Sequence, residues 1–381
     1  MKRIILLALF IILGLGSSGS FAINPIPQGE GVNLLPGAVS QKNINYVKDI
    51  GFNFVRTGVP WGAVEKKKSV YDWAYYDSII NLLLSNDLKP LIIIGFNNPL
   101  YGDVQTFTGI STDNQRKGLA KFAAALVNRY KGKEIVWEIW NEPSIGEFWK
   151  PRPNYQDYSK MADCIIDEVR KVAPNEIIVA PSIPIPNSGE FLDIIGKNGL
   201  FNKIDAVSFH FYPYITYENQ TPEGLTIPHF VNMIKNKSNL PVISSESGWS
   251  TVWPTMNEHK QALFFARQMV INRANGINLA IWHNLKDYRY NLKDPESNFG
   301  LIRYDYTPRP SYFGVRYMIK SLKDKKFVRA VNLPSKNDYA YVFTDGKNEY
   351  LYAWTTGSPH EITINNQSFS LSEYVITALL K

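Results

Sequence analysis

The sequence predicts a (β/α)8 TIM barrel, an α/β fold, followed by a small C-terminal antiparallel β module. Short β-branched apolar runs alternate eight times with amphipathic segments, which is typical of parallel strands buried on both faces and covered by helices. After about residue 327 the helix-length segments stop, and alternating strands with tight turns follow. A doubly wound open sheet is the competing architecture, but it normally uses fewer strands.

The barrel elements follow from these two patterns. The predicted strands are 31–35, 52–58, 90–96, 135–141, 177–182, 204–211, 242–246 and 277–282. The predicted helices carry apolar residues at spacings of three and four, and they span 43–50, 75–85, 114–130, 155–172, 188–197, 228–235, 257–275 and 311–322. Eight strands, each followed by a helix, is the count that closes a barrel.

The predicted domains are a signal peptide at 1–22, a barrel at 23–325 and a β module at 326–381. The module contains predicted strands at 339–344, 350–355 and 360–364, with turns at Asp345-Gly346 and Asn365-Asn366. A module of roughly 55 residues, with about five strands, is too small for a large core of its own. We therefore expect it to pack on the barrel.

The first 22 residues have the composition of a cleavable signal peptide. A basic start, Lys2-Arg3, precedes an apolar run at 4–15, and a small-x-small cleavage site ends at Ala22. Because the apolar run is too short to span a bilayer, we expect no stable membrane insertion. The sequence predicts a secreted or periplasmic protein, cleaved near Ala22.

Composition excludes several classes of function. The formal net charge is +7 over 381 residues, without a long basic tract, so we expect no nucleic-acid partner. The five histidines are scattered, and the H-E-x-x-H pattern of a zinc site is absent, so we expect no metal or other cofactor. No Gly-x-Ser-x-Gly elbow is present for serine hydrolysis. We expect a monomer.

Two glutamates stand at the ends of predicted strands four and seven. Glu142 lies in Trp140-Asn141-Glu142-Pro143, and Glu246 ends the apolar run that starts at 240. A lone glutamate at a strand exit is more often a surface residue. The carboxyl ends of barrel strands meet on one face, however, so these two carboxylates are expected to share a cleft. Two carboxylates are what cleavage of a glycosidic bond needs.

With these motifs the sequence resembles the retaining glycoside hydrolases of clan A, a barrel superfamily whose acid/base and nucleophile follow strands four and seven. Segments 140–143 and 245–249 resemble its acid/base and nucleophile motifs, and the resemblance spans about 31–322. Families 5 and 39 are both close, with a slight preference for a family 39-like member. The resemblance implies that Glu142 is the acid/base and Glu246 the nucleophile.

The resemblance also implies supporting residues at other strand ends. Arg56 matches a strand-two arginine that pairs with the nucleophile. His210 and Tyr212 match a strand-six His-x-Tyr pair, in which the histidine lines the sugar site and the tyrosine donates a hydrogen bond to Glu246. Glu138, inside strand four, is instead predicted to be structural, facing the barrel interior or a partner charge.

Further residues are expected to contact the sugar. Trp282 resembles the strand-eight tryptophan that forms the floor of the cleavage subsite, with a cis peptide bond between Trp282 and His283. Asn97 and Asn141 are expected to donate hydrogen bonds to sugar hydroxyls. Loop tryptophans would make the cleft aromatic; they are Trp61, Trp149, Trp249 and Trp253.

The sequence thus predicts a secreted, retaining glycosidase that cleaves β-linked oligo- or polysaccharide by double displacement. Two alternatives stay open. One is a carbohydrate-binding protein on a catalytically inactive barrel, and the other is a periplasmic hydrolase that trims exopolysaccharide during export.

Overall fold

The computed structural model describes residues 24–102, 105–184, 188–212 and 221–381, and the predicted signal peptide lies outside them. Within these residues eight parallel strands form a closed barrel and pair in chain order, which confirms the predicted fold class. The strands are β1 (Gly29–Asn33), β2 (Phe54–Pro60), β3 (Lys89–Gly95), β4 (Val136–Ile139), β5 (Ile177–Pro184), β6 (Ala206–Phe211), β7 (Val242–Ser247) and β8 (Leu279–Trp282).

Helices cover the outside of the barrel. They are α1 (Gln41–Ile50), α2 (Trp61–Val64), α3 (Ala74–Leu84), α4 (Asp113–Tyr130), α5 (Tyr155–Val172), α6 (Ser188–Lys197), α7 (Ile227–Lys237), α8 (Glu258–Ala274) and α9 (Pro310–Leu322). A short hairpin, Glu65–Lys67 with Val70–Tyr71, joins α2 to α3. Polar side chains cap the starts of α1, α4, α5 and α8, and Thr112 and Gln115 form a reciprocal capping box on α4.

A ring of apolar side chains fills the lower barrel interior. It consists of Phe54, Leu91, Val136, Val179, Ala206, Ile243, Leu279 and Ile281. Strand β1 places Gly31 at this level, where no side chain fits: a Cβ added to Gly31 would lie only 2.5 Å from the Cβ of Phe54. Side chains alternate along a strand, so the residues two positions after Phe54 and Val136 also point inward. Those residues are Arg56 and Glu138, and they begin a polar layer above the apolar ring.

The C-terminal residues form antiparallel sheets. Their strands are β9 (Lys326–Ala330), β10 (Asp338–Thr344), β11 (Glu349–Thr355), β12 (His360–Ile364), β13 (Gln367–Leu371) and β14 (Ile376–Leu380). Strands β9, β10, β11 and β14 form one sheet, and β12 and β13 form a hairpin. The six strands in this described segment compare with about five predicted. The turn at Asn365-Asn366 has positive φ at both residues, as a tight hairpin turn requires.

Aromatic side chains join this module to the barrel. Trp354 of β11 is fully buried, and its indole stacks on the rings of Tyr339 and Tyr341. The Nε1 atom of Trp354 donates a hydrogen bond of 2.7 Å to Glu223 of the barrel, and the hydroxyl of Tyr352 donates to the Ser321 carbonyl in α9. The division of the chain at residue 325 stays a prediction. In the part of the chain that the structure describes, no helix has both the length and the apolar character needed to cross a membrane.

Glu30 of β1 is a buried carboxyl at the foot of the barrel. It accepts a hydrogen bond of 2.9 Å from Nε1 of Trp282. Burial raises the pKa of Glu30 from 4.5 to about 7, although Arg273 and the Trp282 hydrogen bond act in the opposite direction. The folded protein therefore favours the protonated carboxyl. Its contribution to stability is fully present below about pH 4.5 and is lost as pH rises through about 7.

We therefore expect Glu30→Gln to stabilise the protein at pH 8 and to change its stability little at pH 5. The amide stays neutral and can still accept the Trp282 hydrogen bond, so the gain in unfolding free energy at pH 8 is on the order of 2–3 kcal/mol. Denaturant unfolding at both pH values measures it. Glu134→Gln is the matched control, because the Glu134 side chain is 71% exposed. An equal change at both pH values would contradict the assigned protonation state.

Candidate active site

Strands β4 and β7 bring the two predicted catalytic carboxylates together. Glu142 lies three residues beyond the end of β4, in a turn where its φ is 46°, and its backbone N–H donates to the Ser182 carbonyl. Atom Nδ1 of His210 is 2.6 Å from Oε1 of Glu142 and 3.9 Å from Oε2 of Glu246. These two carboxylate oxygens are therefore no more than about 6.5 Å apart, the sum of the two distances.

Arg56 of β2 lies between two carboxylates in the polar layer of the barrel. Its Nη1 donates a hydrogen bond of 2.7 Å to Oε2 of Glu246, as predicted, and its Nε donates one of 2.7 Å to Oε2 of Glu138. Both Arg56 and Glu138 are buried. The structural role predicted for Glu138 is thus confirmed: it balances a buried guanidinium that would otherwise carry an excess charge.

The same guanidinium orients two neutral side chains. Its Nη2 donates to Oδ1 of Asn141 at 2.7 Å and to Oγ of Ser182 at 3.3 Å. A guanidinium is only a donor, so Asn141 must present its carbonyl oxygen to Arg56. The Nδ2 amide of Asn141 consequently points away from Arg56, as required for the hydrogen bond that we expect it to donate to a sugar.

His210 of β6 is fully buried behind Glu142. Its Nδ1 contacts Glu142, while its Nε2 is 3.0 Å from Oγ of Ser182 and 3.4 Å from Nη2 of Arg56. Because Arg56 can only donate, Nε2 is an acceptor and the ring proton lies on Nδ1. His210 therefore donates to Glu142. The resemblance had placed His210 along the sugar site; the structure places it beneath Glu142.

Glu246 is held as an anion. Burial alone would raise the pKa of its carboxyl. Electrostatic interactions with His210, His283 and Arg56 outweigh burial, and with the hydrogen bond from Tyr212 they lower the pKa to about 2. The Tyr212 hydroxyl donates to Oε1 at 2.7 Å, which confirms the predicted contact. At neutral pH Glu246 is consequently ionised, the state that a nucleophilic carboxylate needs.

Trp282 does not form the floor of this site, so that prediction is wrong. Its side chain is fully buried, donates to Glu30 and packs edge-to-face on Phe265. The cis peptide bond also lies one residue later than predicted, between His283 and Asn284. Ile281 of β8 points into the barrel, so alternation along the strand directs Trp282 outward and His283 inward. His283 is the residue that faces Glu246.

The loop residues differ from expectation in part. Asn97 follows β3, and its Nδ2 donates a hydrogen bond of 2.6 Å to the Gln105 carbonyl, so it holds a loop; its contact with a sugar stays a prediction. The four loop tryptophans are buried anchors and not platforms: Trp61, Trp149, Trp249 and Trp253. In the segment between β8 and α9, the exposed aromatic side chains are instead tyrosines: Tyr288, Tyr290 and Tyr304.

Sequence reasoning missed two members of the site, Ser182 and His283. Ser182 links Arg56 to His210, and its position at the end of a predicted strand was the available signal. Together the residues place an ionised carboxylate beside a second carboxylate that accepts a hydrogen bond. This arrangement suits displacement at an acetal carbon. Among the described residues, no three His, Cys, Asp or Glu side chains are grouped to hold a metal ion.

Comparison with known proteins identifies the family. The model of the cellulase family, glycosyl hydrolase family 5, matches residues 26–287. The chain belongs to glycosyl hydrolase family 5. The matched segment of this family 5 protein contains the eight-stranded barrel and both glutamate motifs, as the resemblance to clan A predicted.

Individual relatives are more distant. The β-xylosidase of Geobacillus stearothermophilus is 22% identical over 334 residues, which cover 74% of this chain. The match covers 65% of that relative, so the chain spans just under two thirds of its length. A family 39 glycoside hydrolase from Bacteroides cellulosilyticus WH2 superposes with a TM-score of 0.78 at 21% identity, covering 92% of this chain and 80% of that one.

A monomeric β-xylosidase from Caulobacter crescentus CB15 is also similar in structure. It superposes with a TM-score of 0.63 at 17% identity, covering 87% of this chain and 78% of that one. These structural likenesses show a shared fold.

Proposed function

We propose that this family 5 protein is a secreted or periplasmic retaining β-glycosidase that cleaves xylose-containing oligo- or polysaccharides. The observation that carries the proposal is the placement of both carboxylates around one atom of His210, with Glu246 ionised. The upper bound of about 6.5 Å between their oxygens favours retention, for which carboxyl separations are about 5–5.5 Å, over inversion, for which they are about 6.5–9.5 Å.

In the first step Glu246 attacks the anomeric carbon, and a bond forms between its carboxylate oxygen and that carbon. The bond to the leaving oxygen breaks, and Glu142 transfers its proton to that oxygen. Since Nδ1 of His210 donates to Oε1 of Glu142, Oε2 is the oxygen that carries this proton. As Glu246 loses its charge, Glu138 still balances Arg56.

In the second step Glu142, now a carboxylate, removes a proton from water. The water oxygen bonds to the anomeric carbon, and Glu246 leaves with its charge restored. Two inversions give net retention. The Nδ2 amide of Asn141 is oriented by Arg56 and can donate to the 2-hydroxyl of the sugar throughout.

The substrate class, the export and the oligomeric state in this proposal are supported by other observations. The β-xylosidase relative makes β-linked xylosides the substrate class to test. The basic start and apolar run of residues 1–22 support export. The expected state is a monomer, which size-exclusion chromatography with light scattering would measure.

The decisive experiment follows hydrolysis of p-nitrophenyl β-xyloside by ¹H NMR. The proposal expects the β-anomer of xylose as the first product, with the α-anomer appearing later by mutarotation. An α-anomer formed first would contradict retention. Binding of xylo-oligosaccharides without hydrolysis would favour a carbohydrate-binding protein instead. A panel of other β-glycosides, run in parallel, tests whether xylose is the preferred sugar.

A further inference from the structure

A cavity of about 820 Å³, which we call the foot cavity, lies at the foot of the barrel. Its walls are the start of β1, the end of α1, parts of α8 and α9, and the segment 323–326 that leads into β9. Strand starts and strand ends lie at opposite ends of a barrel, so the foot cavity lies far from Glu142 and Glu246. Its volume is within the range of about 300–1,000 Å³ that is typical of small-molecule sites.

The foot cavity carries an excess of positive charge. Six cationic side chains line it, against the three carboxyl groups of Glu30, Asp49 and Asp324. The cationic residues are Arg273, Arg316, Lys320, Lys323, Lys325 and Lys326. Asp49 already pairs with Nη1 of Arg316 at 3.0 Å. A concave surface with one predominant sign of charge raises the local concentration of ions of the opposite sign, here anions.

Most of the lysines here are not used by the fold. Lys325 is the exception, because its Nζ donates a hydrogen bond of 2.6 Å to the Ser321 carbonyl at the end of α9. The ammonium groups of Lys320, Lys323 and Lys326 are exposed and make no hydrogen bond or ion pair with any residue that the structure describes. They are therefore available to a ligand.

Arg273 of α8 is a buried cation in the wall of the foot cavity. Its side chain has neutral acceptors: the Gln28 amide oxygen accepts from Nη1 at 2.6 Å, and the Lys325 carbonyl accepts from Nη2 at 3.4 Å. Glu30 acts on Arg273 only from beyond ion-pair distance, and because burial raises the pKa of Glu30 to about 7, it carries only part of a charge at neutral pH. A buried charge without a full counter-charge is costly. An anion in the cavity would supply the missing charge.

The rest of the lining indicates what carries the anionic group. Ile50, Met269 and Leu322 give the cavity a buried apolar wall, and the amides of Gln28 and Asn53 add groups that can bind hydroxyls. A sugar combines apolar C–H faces with hydroxyls and fits both features. None of the described lining residues is aromatic, so a nucleobase would lack a ring on which to stack.

We propose that the foot cavity binds a sugar that carries a carboxylate or a phosphate group, at a site separate from the catalytic carboxylates. Arg273 pairs with the anionic group, and the lysines at the rim strengthen its binding. The inference goes beyond the proposed function and does not rest on it, since no residue is shared between the two sites. A uronic acid and a sugar phosphate present the same chemistry to Arg273, and the probes below distinguish them.

The test is isothermal titration calorimetry on the whole wild-type protein. The probes are glucuronic acid, glucose 1-phosphate, inorganic phosphate and the neutral sugar xylose. We expect one molecule of at least one acidic sugar to bind per chain with a submillimolar Kd, and the tighter of the two identifies the anionic group. The proposal is overturned if neither acidic sugar binds in the millimolar range, or if phosphate alone binds as tightly as the better acidic sugar.

Removing the rim charges together should weaken this binding. The variant Lys320→Gln/Lys323→Gln/Lys326→Gln changes exposed side chains, so the fold should be retained. We expect it to raise Kd for the acidic sugar by roughly tenfold to a hundredfold, because hydrogen bonds to charged groups are lost. An unchanged Kd would contradict the proposed site.

The matched control is Lys117→Gln/Lys121→Gln/Lys160→Gln, at exposed lysines of α4 and α5. It changes the net charge by the same amount, so an equal loss of affinity would show a general charge effect and no site. Arg273→Gln should abolish binding while thermal unfolding shows that the barrel is folded. If that variant does not fold, the two lysine variants still decide the outcome.

A further comparison separates the foot cavity from catalysis. Both lysine variants should keep the wild-type kcat/KM for p-nitrophenyl β-xyloside, and Glu246→Gln should bind the acidic sugar as tightly as the wild-type protein. Loss of binding in folded Glu246→Gln would place the ligand in the catalytic cleft and overturn the inference. If the wild-type protein hydrolyses no glycoside, the proposed function fails, and the binding measurements still test the foot cavity.

Discussion

Replacing Glu246 by Gln should lower kcat/KM for p-nitrophenyl β-xyloside by about four orders of magnitude or more. The amide is nearly isosteric but is a poor nucleophile, so the covalent route to product closes. The structure gives Glu246 the features that this role needs: a pKa of about 2, and hydrogen bonds to both oxygens that aim the carboxylate. Steady-state kinetics with purified protein measures the loss.

The matched control is Glu147→Gln, at an exposed glutamate in the loop after β4. It should retain wild-type kcat/KM. Thermal unfolding of each variant verifies that the barrel is intact, since Glu246 pairs with the buried Arg56. Activity of folded Glu246→Gln within tenfold of the wild-type protein would remove Glu246 from the mechanism.

The parts of the fold that were predictable from sequence are those with a regular period. Strands buried on both faces give continuous apolar runs, and each of the eight predicted runs overlaps a barrel strand. Glu142 and Glu246 were found because a charged residue at the end of such a run conflicts with its pattern. Arg56 was predicted from the resemblance, and the inward direction of Phe54 explains the inward direction of Arg56 two residues later.

One feature that was not predictable lies where a strand is irregular. The register shifts between Pro181 and Ile183 in β5, where β5 has one residue more than β6. One extra residue reverses which side chain faces the barrel, and no sequence period records it. For this reason Ser182 was missed. The assignment of Trp282 to the subsite floor came from the resemblance instead, whereas the inward direction of Ile281 in β8 places His283, two residues later, towards Glu246.

Aromatic residues in loops raised a different difficulty. A tryptophan has a large apolar surface that can stack on a sugar or fill a gap between helices, and composition alone does not separate the two. In the structure Trp61 and Trp249 fill the interior, and their indole nitrogens donate to Glu65 and Gln268. Each of these indoles has a buried hydrogen-bond partner, and whether such a partner lies within reach depends on the folded structure.

Replacing Glu142 by Ala should separate the two catalytic steps. A dinitrophenolate leaves without a proton, so formation of the glycosyl-enzyme from a 2,4-dinitrophenyl β-xyloside needs no acid. Hydrolysis of that intermediate still needs Glu142 as a base, so kcat should fall by about 10²–10⁴-fold while the intermediate accumulates. The p-nitrophenyl substrate, which has the poorer leaving group, should lose more in kcat/KM than the dinitrophenyl one.

Azide distinguishes the acid/base from the nucleophile, because it attacks without a general base. With Glu142→Ala it should restore turnover at least roughly tenfold and release the β-glycosyl azide, since it displaces Glu246 from the intermediate. With Glu246→Gly it occupies the space of the missing nucleophile, and a single displacement should give the α-glycosyl azide. ¹H NMR of the products reports the anomer. Exchanged anomers would mean exchanged roles for Glu142 and Glu246. The contacts of Arg56 and Tyr212 with Glu246 are the physical reason to expect Glu246 as the nucleophile, because they hold it as an aligned anion.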